Sequence, residues 1–163
     1  MPFTGFLYAG LMISADGAPK VIEFNVRFGD PETQPVMLRL RSDLLDLVEA
    51  AVEGRLDQVQ AEWDPRPSLG VVMAAENYPG TPRTGDVIAG LATDPGADAK
   101  VFHAGTAIRN GQVVTAGGRV LCACALGSDI ADAQRRAYAA ADNIHWDGAF
   151  YRSDIGWRAL QRA

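Results

Sequence analysis

Lys20-Val21-Ile22-Glu23-Phe24-Asn25-Val26-Arg27-Phe28, followed at once by Gly29-Asp30-Pro31-Glu32, is the stretch on which the reading of this chain turns. Its first part alternates apolar and polar residues. A β-strand sends successive side chains to opposite faces, so Ile22, Phe24, Val26 and Phe28 are expected on one face. Glu23, Asn25 and Arg27 are expected on the other, with Val21 at its edge. A carboxylate, an amide oxygen and a guanidinium thus line one side. Magnesium takes oxygen donors and is commonly held by one or two protein groups together with substrate phosphates. A guanidinium grips phosphate or carboxylate at two points. The trio therefore suits phosphoryl transfer, where cations neutralise charge on the transferring group. The same alternation also describes a half-exposed strand whose polar side meets water. Glu and Asn are poor strand formers, which weighs against that plainer reading.

Working upstream, residues 6–13 (FLYAGLMI) are apolar and precede Ser14-Ala15-Asp16-Gly17, whose Asp-Gly pair signals a tight hairpin turn. Two antiparallel strands are expected, over about 6–13 and 20–28. Downstream, Asp30 is expected to cap a short helix starting at Pro31 and disturbed by Pro35. A longer helix is expected over residues 42–53, stopped by Gly54. Residues 58–68 (QVQAEWDPRPS) mark a linker or domain edge. The pattern then restarts. Strands are expected at 70–75, 86–91, 100–108, 112–115 and 119–126, with a turn at Tyr78-Pro79-Gly80 and a hairpin turn at Asn110-Gly111. Ser128 is expected to cap an alanine-rich helix, and the tail from His145 to dock on the body. The fold class is α+β: a strand pair with helices over residues 1–62, then a small α+β domain over 66–163. The first unit is too small to bury both faces of its strand pair. Residues 6–13 should therefore pack against further polypeptide or a second copy, and self-association through this exposed strand is expected.

The chain has 163 residues, 48% hydrophobic and 21% charged, with a net charge of −5. That composition forms a core, and it offers no basic stripe to nucleic acid. No apolar run approaches the roughly 20 residues that span a bilayer, and no membrane partner is expected. Met1-Pro2-Phe3-Thr4-Gly5 lacks the basic start and cleavage pattern of a secretory leader. Cys122 and Cys124 stand two apart in an apolar run, as buried thiols of a reducing compartment would. A cytoplasmic location is expected.

Glu23-Phe24-Asn25-Val26-Arg27 resembles the E-x-N-x-R strand of the ATP-grasp superfamily. Residues 27–34 (RFGDPETQ) resemble the signature of the phosphoribosylamine–glycine ligase (glycinamide ribonucleotide synthetase) family, which is far more specific. The resemblance continues through residues 3–11, Tyr78-Pro79-Gly80, Gly85-Asp86-Val87-Ile88, residues 102–106, residues 117–121 and the ending Asp154-Ile155-Gly156-Trp157-Arg158-Ala159-Leu160. It implies the C-terminal part of an ATP-grasp domain followed by a small α+β C-terminal domain. It implies an ATP-dependent carbon–nitrogen ligase of purine synthesis, joining glycine to 5-phosphoribosylamine through a glycyl phosphate. ATP is a substrate, and Mg2+ or Mn2+ the metal. By position, Glu23 and Asn25 match the family's metal ligands. Arg27 and the loop Gly29-Asp30-Pro31-Glu32 match the segment beside the reacting phosphate, so Arg27 and Asp30 are the candidate catalytic residues.

The nucleotide-binding half of the family is not in this sequence. No glycine-rich phosphate loop occurs, and no residue here is assigned to the nucleotide. The isolated chain is expected to be inactive. Another ATP-grasp ligase, such as a biotin carboxylase, shares E-x-N-x-R but lacks the GDPE continuation and the DIGWRAL-type ending. A non-catalytic fragment or assembly module is the reading from a different class. Asp30 could orient a substrate amine or simply cap a helix, and Glu32 could simply favour a helix N-terminus. Arg119 could reach a phosphate or cap a sheet edge. His103 and His145 read as structural, and Arg135 and Arg136 as a solvated helix face.

Overall fold

The computed structural model describes residues 3–161. Residues 1–2 and 162–163, at the outer ends of the two expected domain ranges, lie outside the described residues. The chain divides into two compact units. One takes the chain up to Thr33 with Leu40–Trp63; the other takes Gln34–Arg39 with the chain from Asp64 onward.

In the first unit β1 (Tyr8–Ile13) and β2 (Pro19–Asn25) pair antiparallel. Their turn closes through Gly17 N to Ser14 O, 2.9 Å, with Gly17 at φ +85°. The expected strand over 20–28 is shorter than its alternation suggested. Tyr8, the first residue of β1, pairs with Asn25, so no strand stands opposite the residues after Asn25. Val26 and Arg27 form a bend instead, and the rings of Phe28 and Phe6 stack with centroids 3.9 Å apart. A second departure is a bulge: Gly10 pairs with Glu23 but Leu11 with Val21, leaving Ile22 extra. The extra residue breaks strict alternation and puts Val21 on the Leu11 face, away from Glu23.

Helix α1 (Thr33–Arg39) starts later than Asp30-Pro31 predicted. Thr33 sends both its N–H, 3.1 Å, and its hydroxyl to the carbonyl of Gly29. Pro35 then falls in the first turn, where its missing N–H is not needed. Helix α2 (Leu44–Val52) is capped by Asp43, whose side chain accepts from Leu45 N at 2.8 Å. Ser42, the expected start, instead accepts from Glu62 N, 2.7 Å. Gly54, at φ +71°, follows the helix end as expected. Apolar side chains of the hairpin stay in solvent: Phe24 is 59%, Ile22 65% and Val26 72% exposed.

The second unit is built on three antiparallel strands in the order β3 (Ser68–Ala74), β7 (Arg119–Leu126), β4 (Ala99–His103). Strands β5 (Thr106–Arg109) and β6 (Gln112–Thr115) form a separate hairpin. Asn110 and Gly111 turn it, both at positive φ. The expected single strand over 100–108 is therefore two. Gly105 N donates to Arg119 O at 2.9 Å, and from Thr106 the chain pairs with β6 instead. The expected strand over 86–91 is reduced to isolated bridges, Val87 to Val114 and Ala89 to His145.

Helix α3 (Ile130–Asp142) is capped by Asp129 rather than Ser128. Asp129 accepts from Asp132 N, 2.8 Å, and the Asp132 carboxylate accepts from Ser128 N, 3.1 Å, a reciprocal cap. Ala133, Ala137, Ala140 and Ala141 are buried along one stripe. They share a core with Leu69, Val71, Met73, Leu121, Ala123 and Ala125. Gly70 on β3 lies beside Cys122 and Cys124 of β7, whose thiols are 3.5 Å apart. Pro35 covers that spot, and Ser68 Oγ donates to Pro35 O at 2.7 Å. This is why residues 34–39 join the second unit.

The tail is docked, as expected. Gln134 Nε2 donates to Ile155 O, 2.6 Å, Trp146 is buried, and α4 (Trp157–Leu160) follows. Arg83 meets the carboxylates of Glu76, Asp86 and Asp147. No helix among the described residues is long and apolar enough to cross a membrane.

Candidate functional site

The pairing of β1 with β2 sets the candidate site. Residues directly opposite one another in an antiparallel ladder share a face. Tyr8 faces Asn25 and Gly10 faces Glu23, so Tyr8, Gly10, Glu23 and Asn25 lie on one side of the hairpin. The space a side chain at Gly10 would need is taken by the Glu23 stem and the Tyr8 ring: a Cβ there would lie 3.2 Å from Glu23 Cγ and 3.6 Å from Tyr8 Cε1. The Glu23 carboxylate is exposed and Asn25 half-buried. Both offer oxygen.

Arg27 is on the bend after β2, so the pleat does not set its direction. Its Nη1 donates to the carbonyl of Phe28, 2.9 Å. Asp30 lies exposed in the loop between Gly29 and Glu32. Tyr8, to which the sequence assigned no role, and Glu32, read there as a loop residue that could favour a helix N-terminus, join the group. Tyr8 Oη donates to Glu32 Oε1, 3.2 Å. Buried Gly29 fits beneath them, since a Cβ at this position would lie 2.5 Å from Glu32 Oε2 and 2.9 Å from Tyr8 Cδ2 and Cε2. Glu32 therefore does more than favour a helix N-terminus. The charge of Glu32 holds the Tyr8 phenol above its ordinary range, helped by their hydrogen bond, by burial and by Glu23, and opposed by Arg27. Tyr8 thus senses Glu32, Glu23 and Arg27 together. Its only sequence signal was a polar hydroxyl inside the apolar run 6–13.

The donor set fits a hard divalent cation in part. Glu23 and Asn25 supply a charged and a neutral oxygen, and such an ion is completed by water and phosphate oxygens. Among the described residues no group of three or more His, Cys, Asp or Glu gathers as a metal centre.

The second unit holds a cleft of about 280 Å³ lined by Lys100, His103 and Asn143 among apolar neighbours. His103 Nδ1 shares a hydrogen bond with Thr106 Oγ1, 3.0 Å, and Lys100 lies over the Phe102 ring, 5.5 Å from its centroid. Arg135 and Arg136 pair with Asp132 on the surface of α3. His145 is exposed and joins Ala89 through its backbone.

Residues 68–158 match the family model described as phosphoribosylglycinamide synthetase, C domain. Residues 1–33 match that described as phosphoribosylglycinamide synthetase, ATP-grasp (A) domain. The chain is 72% identical, over 163 residues, to a phosphoribosylamine–glycine ligase of Xanthomonas axonopodis pv. citri, covering 99% of this chain and 38% of that relative. A phosphoribosylamine–glycine ligase of Escherichia coli O6:H1 is 65% identical over 161 residues, 98% of this chain and 38% of that relative. The crystal structure of phosphoribosylamine–glycine ligase from Thermotoga maritima superposes with a TM-score of 0.76 at 35% identity, covering 91% of this chain and 36% of that one. The chain thus spans well under half the length of the curated relatives it matches.

Proposed function

The chain belongs to the phosphoribosylglycinamide synthetase family, and from that premise we propose that it is part of an ATP-dependent ligase of purine synthesis. The complete enzyme joins glycine to 5-phosphoribosylamine, giving glycinamide ribonucleotide, ADP and phosphate. A glycine carboxylate oxygen attacks the γ-phosphorus and ADP leaves, forming glycyl phosphate. The amine of phosphoribosylamine attacks the acyl carbon, phosphate departs, and the nitrogen loses a proton. The observation that carries this reading is the hairpin in residues 1–33, which presents Glu23 and Asn25 side by side within the segment that matches the ATP-grasp model.

In this proposal Glu23 and Asn25 hold Mg2+, or Mn2+ in its place. The bound ion neutralises charge on the ATP phosphates. Arg27 stabilises charge on the γ-phosphate or the acyl phosphate, for which a guanidinium on a bend beside the ligand strand is suited. Asp30 meets the ammonium group of glycine. Residues 1–62 are the end of the ATP-grasp domain and residues 66–163 its C-terminal domain. The exposed apolar side chains of the hairpin are the surface that further polypeptide covers, or through which isolated chains self-associate. We place the protein in the cytoplasm.

The test assays the complete protein carrying this segment for glycine-dependent ADP release, with bicarbonate as the competing acceptor. Glycine should be used and bicarbonate ignored, and Arg27→Met should cut turnover about a hundredfold or more. Near-normal turnover in Arg27→Met removes the role of that residue, and bicarbonate use overturns the assignment. The isolated chain should show no micromolar ATP binding in a calorimetric titration.

A further inference from the structure

The loop that carries Asp30 is tied down at both ends, by Thr33 at its start and by Tyr8 at its end. At its start, the carbonyl of Gly29 accepts from Thr33 N, 3.1 Å, and from the Thr33 hydroxyl. At its end, the Glu32 carboxylate accepts from Tyr8 Oη, 3.2 Å, on β1. Between them the Tyr8 ring and the Glu32 carboxylate occupy the place where Gly29 lacks a side chain. Any larger residue at position 29 would push one of them out. An exposed hydrogen bond to a carboxylate is weak by itself. Here the ring is packed on the backbone of the loop it binds, so the hydroxyl is delivered to Glu32 at little further entropy cost.

We propose that Tyr8 and Glu32 are positioning residues, a clamp that sets the Gly29–Glu32 loop so that Asp30 meets the ammonium group of the amino-acid acceptor. The inference rests on the ligase reading given above. Neither residue touches the reacting atoms. Tyr8 supplies a neutral donor, which must keep its proton to hold Glu32. Glu32 supplies the acceptor and turns its charge toward the phenol rather than toward the incoming ammonium. Glycine is the part of the reaction that depends on this loop, whereas the metal depends on Glu23 and Asn25 and the nucleotide on polypeptide outside these residues.

The experiment uses the complete protein and four variants: Tyr8→Phe, Glu32→Ala, Glu32→Gln and Tyr8→Phe/Glu32→Ala. Tyr8→Phe and Glu32→Ala should each raise the KM for glycine about tenfold, with the KM for ATP and Mn2+ binding unchanged. A loss of folded molecules would lower turnover but leave that ratio of KM values alone. Glu32→Gln keeps an oxygen acceptor and should stay within about twofold of the parent. The double variant should be no worse than Glu32→Ala, because the two residues act as one unit. Additive effects, a glycine KM that does not move, or a Glu32→Gln as impaired as Glu32→Ala would each overturn the clamp. A parent protein that makes no glycinamide ribonucleotide overturns the ligase reading and the clamp with it. An active parent with indifferent variants overturns the clamp alone.

Discussion

Replacing Gly29 by alanine tests the geometry of the site at a single methyl group. The backbone at Gly29 is not in the left-handed region, so alanine adopts it without strain of its own. The cost is contact: 2.5 Å to Glu32 Oε2 and 2.9 Å to two Tyr8 ring carbons, against about 3.5 Å or more for relaxed carbon contacts. Something must move by about half an ångström. Forced overpacking costs about 1–3 kcal/mol where nothing can yield. Here relief is available, because Glu32 is exposed and Tyr8 only half-buried. Either relief separates the hydroxyl from the carboxylate. The strain is therefore spent on the clamp rather than on the fold. Thermal stability of the chain should fall by less than about 1 kcal/mol, while the complete protein loses about 5- to 100-fold in kcat/KM for glycine. Gly17→Ala is the control. It forces alanine to a φ of +85° with no atom within 4 Å of the new methyl, which costs about 1–2 kcal/mol of backbone strain. Its kinetics should match the parent. Steady-state assays with glycine varied at saturating ATP decide the matter. An alanine at position 29 with the parent's glycine kinetics would refute the reasoning.

Two further outcomes concern the second unit. Leu121→Ala removes a side chain only 1% exposed at the centre of the three-stranded sheet and should cost about 2–5 kcal/mol in urea unfolding. Asp86 is held below the usual carboxylate range, first by its hydrogen bonds from Arg83. A depressed folded value means the unfolded chain binds the extra proton between that value and about 4. Stability from this contact is thus complete above about pH 4 and drains away as pH falls through the folded value. Asp86→Asn should flatten the acid side of a melting-temperature profile without changing its direction elsewhere; an unchanged acid slope would rule the contact out as its source.

The hairpin, the long strand β7 and the alanine helix α3 were legible because their patterns are local and repeated. Asn110-Gly111 announced its turn for the same reason. The misses had tertiary causes. The alternation of residues 20–28 ran on past Asn25, but a strand ends where its partner ends, and β1 starts at Tyr8. Residues 100–108 read as one strand because nothing in their own pattern says that one half pairs with β7 and the other with β6. Ser128 and Asp129 are both good caps, and the choice fell to Asp129, which reaches Asp132 N. At the site, Glu23 and Asn25 could be placed on one face by period alone. Tyr8 and Glu32 stand far apart in sequence and meet only through the register of the hairpin.

The two sulfurs of β7 have a practical consequence. Cys124 lies against Cys122 and out of water, and the hydrogen bond between them, then burial, push its thiol far above the range in which thiolate forms near neutrality. Thiolate is the form that attacks a chromogenic disulfide reagent. Under native conditions colour can develop only from molecules whose central strand has come away from its neighbours. The rate of its appearance then counts spontaneous openings of that unit, with no engineered label.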